Sequence, residues 1–95
     1  MKTTEAPTIV YAPKRLDPFT SPHLAKDLET KIQAGKAIVL DLSKTLSIDP
    51  ESADIILRGL MLSKQFHTRF GLRGVNHQVR LVLEMAGVLQ YFRRA

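Results

Sequence analysis

The chain has 95 residues, of which 44% are hydrophobic and 24% charged, and it contains no cysteine. This length and composition are typical of one globular domain, and they exclude a disulfide scaffold, a thiolate metal site and a cysteine nucleophile. No apolar run approaches the roughly 18–20 residues that a bilayer-spanning helix needs. Together with the absence of cysteine, this favours a cytoplasmic protein that is not inserted in a membrane.

The formal net charge of +5 is unevenly distributed. Residues 1–55 carry seven Lys/Arg and eight Asp/Glu, whereas residues 56–95 carry seven Lys/Arg and one Asp/Glu. A basic half indicates either an acidic or phosphate-bearing partner or an evenly solvated face.

The first elements are short. Residues 1–7 are polar and predict a flexible N-terminus, and the β-branched and aromatic run Thr8–Ala12 predicts a strand. Pro13 indicates that this strand lies at an edge or bends there. Lys14–Asp17 predicts a second short strand.

A first helix follows. Ser21 is expected to cap it, with Pro22 at the first helical position, where the missing N–H costs nothing. Apolar residues then recur every four positions, at Leu24, Leu28 and Ile32. Gly35 is expected to end the helix.

The second half continues with alternating elements. Lys36–Leu42 is apolar except for Asp41, which is typical of a strand covered on both faces. Asp49 and Pro50 predict the start of a second helix that extends to about His67. A short strand is expected at Leu72–Val75.

The last predicted helix begins at a cap, Asn76, and ends at Gly87. The apolar tail Val88–Phe92 is expected to cover the core. Residues 8–95 therefore predict one α/β domain with the element order β, β, α, β, α, β, α and a mixed sheet on which the helices pack.

The face of the second helix carries two apolar residues among charged ones. With 100° per residue, Leu57 and Met61 fall beside Asp54, Arg58 and Lys64. The predicted core-facing half holds Ala53, Ile55, Ile56, Gly59, Leu60, Leu62, Ser63, Phe66 and His67. Leu57 and Met61 indicate either a wide core stripe on a slightly rotated helix or a face that binds a partner.

Two long stretches resemble a known family. Ile38–Ser52 reads IVLDLSKTLSIDPES and Leu72–Phe92 reads LRGVNHQVRLVLEMAGVLQYF. These stretches resemble the STAS domain family of bacterial anti-sigma factor antagonists, whose central strand and loop read roughly vvlDLsgvtfiDSSG and whose later stretch reads lvgvspevrrvLeltGldelF. Leu16–Leu24, LDPFTSPHL, is similar to the family's LDaltapeL. The three blocks keep the family's order and spacing, so the resemblance implies a STAS fold.

The resemblance also implies a phosphorylation switch. In the family, an anti-sigma factor that is a serine kinase phosphorylates the second serine of the D-S-S/T-G loop, and a serine phosphatase reverses the reaction. On an ungapped match the loop aspartate is Asp49, the first serine is Pro50, the phosphorylated serine is Glu51, and the glycine is Ser52. Two interpretations follow: Ser52 is the acceptor, or the switch is lost and Glu51 holds a fixed negative charge. We favour the second.

The resemblance favours a partner-binding module. We expect an anti-sigma factor-antagonist-like protein whose partner is an anti-sigma factor/serine kinase, together with a serine phosphatase where the switch is retained. The expected binding face combines the phosphorylation-loop equivalent, Asp49, Glu51 and Ser52, with Ser47, Asp54, Leu57, Arg58 and Met61. The partner's identity and the oligomeric state are left open.

Other functions have less support in the sequence. We expect no enzyme, because no nucleophile elbow is present. We expect no cofactor and no metal, since His23, His67 and His77 lack metal-ligand spacing. One alternative is a STAS accessory subunit of a lipid-transport ATPase system. Another is a small basic nucleic-acid-binding domain that uses Arg69, Arg73, Arg80, Arg93 and Arg94, although the aromatic residues do not alternate with these charges as base-stacking surfaces require.

Overall fold

A computed structural model describes residues 6–92. Its elements are β1 (Thr8–Tyr11), β2 (Arg15–Leu16), α1 (Ser21–Gln33), β3 (Ile38–Asp41), β4 (Ser47–Ile48), α2 (Asp54–Gln65), β5 (Phe70–Arg73), α3 (His77–Met85) and a short 3-10 helix, Leu89–Tyr91. Residues 1–5 of the predicted flexible segment lie outside the described residues, and its last two residues, Ala6 and Pro7, are exposed. Arg93 and Arg94 also lie outside them.

The strands form two sheets, and within each sheet neighbouring strands are parallel. β1, β3 and β5 pair side by side in that order, and β2 pairs with β4. A single α/β domain with helices packed on a sheet is thereby confirmed. Where the sequence predicts one mixed sheet, every pairing within residues 6–92 is parallel. The reason is that β2, which follows β1 directly, pairs with β4 instead of folding back on β1.

The helices enclose one core. α1 and α2 pack on each other, α1 also contacts β3, α2 contacts β5, and α3 packs on β4. The most deeply buried side chains of the core are Leu16, Leu28, Ile32, Ile38, Leu40, Leu42, Ile56, Val79, Leu83 and Val88. The predicted role of the apolar tail is confirmed: Val88 and Leu89 are buried, and the Phe92 ring centroid lies 5.8 Å from that of Phe70.

Helix α1 begins differently from the prediction. Thr20, not Ser21, occupies the cap position, and its side chain makes no cap hydrogen bond. The start is organised by Asp17, whose Oδ1 accepts from the backbone N–H of Phe19 at 2.9 Å and of Thr20 at 3.0 Å. Its carbonyl accepts from Ser21 N at 2.8 Å. Ser21 is therefore the first helical residue, and its hydroxyl is not used as a cap.

Helix α2 starts later and ends earlier than predicted. Asp49 begins a turn, because its carbonyl accepts from Ser52 N at 2.9 Å and Ala53 N at 3.0 Å, and the regular helix starts at Asp54 without a side-chain cap. At the other end Gln65 is the last helical residue. His67 follows in the left-handed conformation, with φ 58°. The chain leaves the helix there, so His67 does not belong to its last turn.

The short strands were the least predictable elements. β5 covers Phe70–Arg73 instead of Leu72–Val75, because Phe70 pairs with Ile38 at the start of β3 and Gly74, at φ 72°, ends the strand. β4 was not predicted at all, since two residues show no periodicity. By contrast, the predicted α3 cap is confirmed: Asn76 Oδ1 accepts from Val79 N at 2.9 Å. Within residues 6–92, no helix has both the length and the apolar content needed to cross a bilayer.

Candidate functional site

The loop before α2 presents its two candidate switch residues differently. Glu51 is exposed, whereas Ser52 is only 4% exposed. Both lie in the turn that Asp49 closes through its backbone carbonyl, which turns the Ser52 amide inward to donate to Asp49. Asp49 itself is exposed. The carboxylates of Asp49 and Glu51 are therefore exposed to solvent, whereas the Ser52 side chain is nearly buried.

A groove between α1 and α2 adjoins this loop. Its first part has a volume of about 400 Å³ and is lined by Pro18, Ser21, Pro22, Ala25, Glu51, Ser52, Asp54, Ile55 and Arg58. Ala25, Ile55 and Arg58 also line its continuation, a second hollow of about 250 Å³. Gly59 lines this second hollow, and because it carries no side chain α2 lies close to the Phe70 ring and to Leu28.

The charges at the groove are only partly neutralised. Arg58 Nε donates to Asp54 Oδ2 at 3.0 Å, an (i, i+4) pair in which both side chains are mostly exposed. Exposed pairs of this kind add little stability. Glu51 makes no ion pair with any of the described residues. The part of the groove next to the loop thus carries one uncompensated negative charge, that of Glu51.

The predicted partner-binding face is only partly brought together. Asp54 and Arg58 lie along the groove, and Met61 is 42% exposed on the outer side of α2. Leu57 is half-buried and packs against the core. Of the two interpretations, the wide core stripe therefore describes Leu57, whereas Met61 lies on the exposed face. Ser47 is exposed but lines a different hollow, together with Gln78 and Val82 of α3.

Two assignments to the core-facing half of α2 were wrong. Phe66 is 39% exposed and His67 is exposed, because the helix ends at Gln65 and the chain turns away. Ile55 and Leu62 are half-buried at the edge of the groove, whereas Ile56, Gly59, Leu60 and Ser63 face the core. The helix is rotated so that one edge of the predicted core face opens into the groove.

Phe19 is a surface residue that sequence reasoning missed. It is 85% exposed, in the turn that leads into α1, and its neighbour Pro18 lines the groove. Its backbone N–H donates to Asp17 Oδ1, which holds the turn. Exposed aromatic residues are frequent at the centre of protein interfaces. The available signal was an aromatic residue placed between Pro18 and Thr20, outside any periodic element.

A second polar cluster lies at the carboxyl ends of β1, β3 and β5. Tyr11, Asp41 and Arg73 are the last residues of these strands and are aligned in register. Arg73 Nε donates to Asp41 Oδ2 at 2.6 Å, and Lys44 Nζ lies 5.3 Å from the centre of the Tyr11 ring. Hydrogen bonds from Ser43 and Arg73 lower the pKa of Asp41 from its ordinary 3.8 to about 2. This cluster ties the strand ends together and engages Arg73 internally.

The comparison with protein families agrees with the fold. The STAS domain model matches residues 1–94, which is essentially the whole chain. Curated proteins, in contrast, give no match. The family match and the parallel strands with α1 and α2 packed beside them lead to one conclusion. The chain belongs to the STAS domain family.

Proposed function

We propose that the protein is an anti-sigma factor-antagonist-like module that binds an anti-sigma factor of the serine-kinase type, and that it has lost the phosphorylation switch. The observation that carries this proposal is the loop before α2. An exposed carboxylate, Glu51, occupies the position at which the family resemblance places the phosphorylated serine, while the neighbouring hydroxyl of Ser52 is 4% exposed.

The geometry of Ser52 argues against its phosphorylation. A kinase needs the acceptor hydroxyl to reach the transferred phosphoryl group, and a side chain that is 4% exposed requires the loop to open first. A phosphoryl group adds about −1.5 to −2 charge and three oxygens. Glu51 carries a smaller fixed charge, so it imitates the phosphorylated state only in part.

The proposed binding surface surrounds this loop. It comprises Phe19, the α1–α2 groove, and the exposed side chains of Arg58 and Met61. Apolar residues rimmed by charged ones are characteristic of protein–protein contact sites. Because the chain has no exposed acceptor serine in this loop, we expect binding to be independent of ATP.

Replacement of Glu51 by serine tests the proposal. Wild-type protein and Glu51→Ser are each mixed with a candidate anti-sigma kinase and ATP, and binding and phosphate incorporation are measured. The wild type is expected to bind without taking up phosphate, while Glu51→Ser takes up phosphate on the introduced hydroxyl and then dissociates. Ser52→Ala is the control and should leave both results unchanged. Phosphate on Ser52 of the wild type overturns the loss of the switch, and absence of binding to any kinase overturns the proposed partner.

The absence of an exposed acceptor also favours a second candidate, an accessory subunit of a lipid-transport ATPase system. Such a subunit is expected to bind constitutively, and constitutive binding does not require phosphorylation of the loop. Co-purification from native cells separates the two candidates, because recovery of an ATPase and a permease supports the second and recovery of a serine kinase supports the first.

A nucleic-acid-binding function has less support. Of its five arginines, Arg73 is already engaged by Asp41, and Arg69 and Arg80 are exposed at different places, just before β5 and on α3. Charges that are separated in this way do not form the continuous stripe typical of a nucleic-acid interface. We propose a binding protein without catalytic activity, acting in the cytoplasm. An affinity for DNA or RNA that falls steeply as the salt concentration rises would instead indicate a nucleic-acid-binding function.

A further inference from the structure

We infer that the α1–α2 groove receives an arginine side chain of the binding partner. The inference rests on the proposed function, because it assigns a chemistry to the partner that meets this surface. Three features of the part of the groove next to the loop carry it: two hydroxyls without hydrogen bonds to the described residues, one uncompensated carboxylate, and apolar walls.

The hydroxyls belong to Ser21 and Ser52, which are 9% and 4% exposed. Among the described residues, none makes a hydrogen bond with either side-chain oxygen, although both serines line the groove. Every fully enclosed side-chain oxygen or nitrogen among the described residues has a hydrogen-bond partner, so neither hydroxyl is fully enclosed. Each keeps a narrow opening that admits a hydrogen-bond donor, although it does not expose the oxygen for phosphoryl transfer. Nearly buried hydroxyls are normally hydrogen-bonded. Here the partner is expected to come from outside the chain.

The charge of the groove favours a cation. In the part next to the loop the lining contains three charged residues, Glu51, Asp54 and Arg58, of which the last two pair with each other. The continuation adds the exposed Glu29, so the groove as a whole is negatively charged. The backbone N–H groups at the helix starts, such as those of Ser21 and Ala53, already donate to carbonyl oxygens of the chain. They are not available to hold an anion.

The walls fit the stem of a long side chain. Pro18, Pro22, Ala25 and Ile55 supply apolar surface along which methylene groups pack. A guanidinium group offers five N–H donors in a planar fork, whereas an ammonium group is a compact, strongly hydrated charge. The carboxylate of Glu51 and the two serine oxygens are all acceptors. Several acceptors around one groove match arginine better than lysine.

Titration of the ¹⁵N-labelled full chain with N-acetyl-arginine amide, followed by NMR, tests the inference without the partner. We expect saturable shifts of the amides of Ser21, Glu51, Ser52 and Ile55, with a Kd in the millimolar range. Glu51→Gln should weaken binding about fivefold, which corresponds to about 1 kcal/mol. Ser52→Ala should weaken it by a smaller factor. Glu84→Gln is the matched control, since Glu84 lines a separate hollow with Gly87 and Leu89, and it should leave the Kd unchanged.

Two further probes decide the chemistry. N-acetyl-citrulline amide has nearly the shape of the arginine probe but no charge, and inorganic phosphate is an anion of the kind that helix starts attract. Equal affinity for the citrulline probe overturns the inference, as does phosphate that shifts the same amides, or an arginine probe that shifts none of them. If the arginine probe fails while the chain still captures a serine kinase, the proposed function stands without an arginine site. If the probe binds and no kinase is captured, the proposed partner is wrong and the site remains.

Discussion

At the scale of single residues, the contact between Asp41 and Arg73 has a consequence that depends on pH. The pKa of Asp41 is lowered to about 2 by hydrogen bonds from Ser43 and Arg73. Because a depressed pKa means that folding favours the ionised form, its contribution to stability is fully present above about pH 4 and is lost as the pH falls toward 2. Acidification in this range should therefore weaken the connection between β3 and β5.

The variant Asp41→Asn tests this consequence. It keeps the size of the side chain but removes the charge that Arg73 pairs with. We expect a lower free energy of unfolding than that of the wild type at pH 7, and a difference that shrinks between pH 4 and pH 2, measured by urea unfolding at each pH. Comparison of the two proteins cancels the contribution of Asp17, whose pKa is also lowered, chiefly by the Thr20 backbone N–H. A difference that does not vary with pH contradicts the assignment.

At the scale of elements, the end of α2 carries strain that the other helix ends avoid. His67 adopts φ 58° while Thr68 N donates to Ser63 O at 2.8 Å, whereas glycine fills the corresponding position after α1 and α3, at Gly35 and Gly87. A left-handed conformation costs a non-glycine residue about 1–2 kcal/mol. Glycine at this position removes the strain. Because glycine loses more conformational entropy on folding, the net gain in stability is smaller than the strain that is removed.

His67→Gly should therefore stabilise the protein by about 0.5–1 kcal/mol, read from the midpoint of urea unfolding. Lys64→Gly is the control: it places glycine at an exposed position inside the same helix and should destabilise by about 1 kcal/mol. A His67→Gly protein no more stable than the wild type shows that the left-handed turn carries no strain.

The start of α3 depends on one side chain with two functions. Asn76 Oδ1 accepts from Val79 N, and Asn76 Nδ2 donates to the carbonyl of Thr45 at 2.9 Å, which connects the helix to the loop before β4. Asn76→Ala removes both bonds and should cost about 2 kcal/mol. Asn76→Asp keeps the cap, loses the donor, and should cost about half as much. Equal losses for the two variants in urea unfolding indicate that only the bond to Thr45 matters.

At the scale of the whole molecule, an exposed residue of the proposed interface is expected to affect the affinity for the partner but not the free energy of unfolding. Met61 is 42% exposed on α2 and Met85 is 87% exposed on α3, so aspartate at either position should change the unfolding free energy by no more than about 0.5 kcal/mol. Met61→Asp is expected to weaken partner binding about tenfold, and Met85→Asp to leave it unchanged. Calorimetric titration with the captured partner measures both. Leu57→Asp is less suitable, because Leu57 packs against the core. Equal affinities of the two methionine variants place the interface elsewhere.

Local features were the ones that the sequence predicted well. The glycines after α1 and α3, the Asn76 cap and the apolar strand around Leu40 act through neighbouring residues, so their patterns are visible in the chain. The start of α2 was predicted too early, at Asp49 and Pro50 instead of Asp54, since that pattern is shared by a turn and a helix. β4 was missed because its two residues are a strand only through pairing with β2.

In the candidate site, too, the local features were predictable from the sequence and those that depend on packing were not. Motif order alone was enough to identify a STAS domain. The assignment of Glu51 to the switch position stays a prediction. The burial of Ser52, the pairing of Asp54 with Arg58 and the contribution of α1 to the groove depend on how α1 and α2 pack. A helical wheel gives the direction of a side chain about its own axis, but the rotation of that helix on the core is set by all its neighbours.

The sequence by itself determined that this chain forms an α/β domain of the STAS family, since those properties reside in residue types and their spacing. The tertiary structure decided which side of α2 faces solvent, that Leu57 packs against the core, and that Ser21 and Ser52 share a groove. These follow from contacts between residues far apart in the chain, whose free energies depend on the packing of the whole domain.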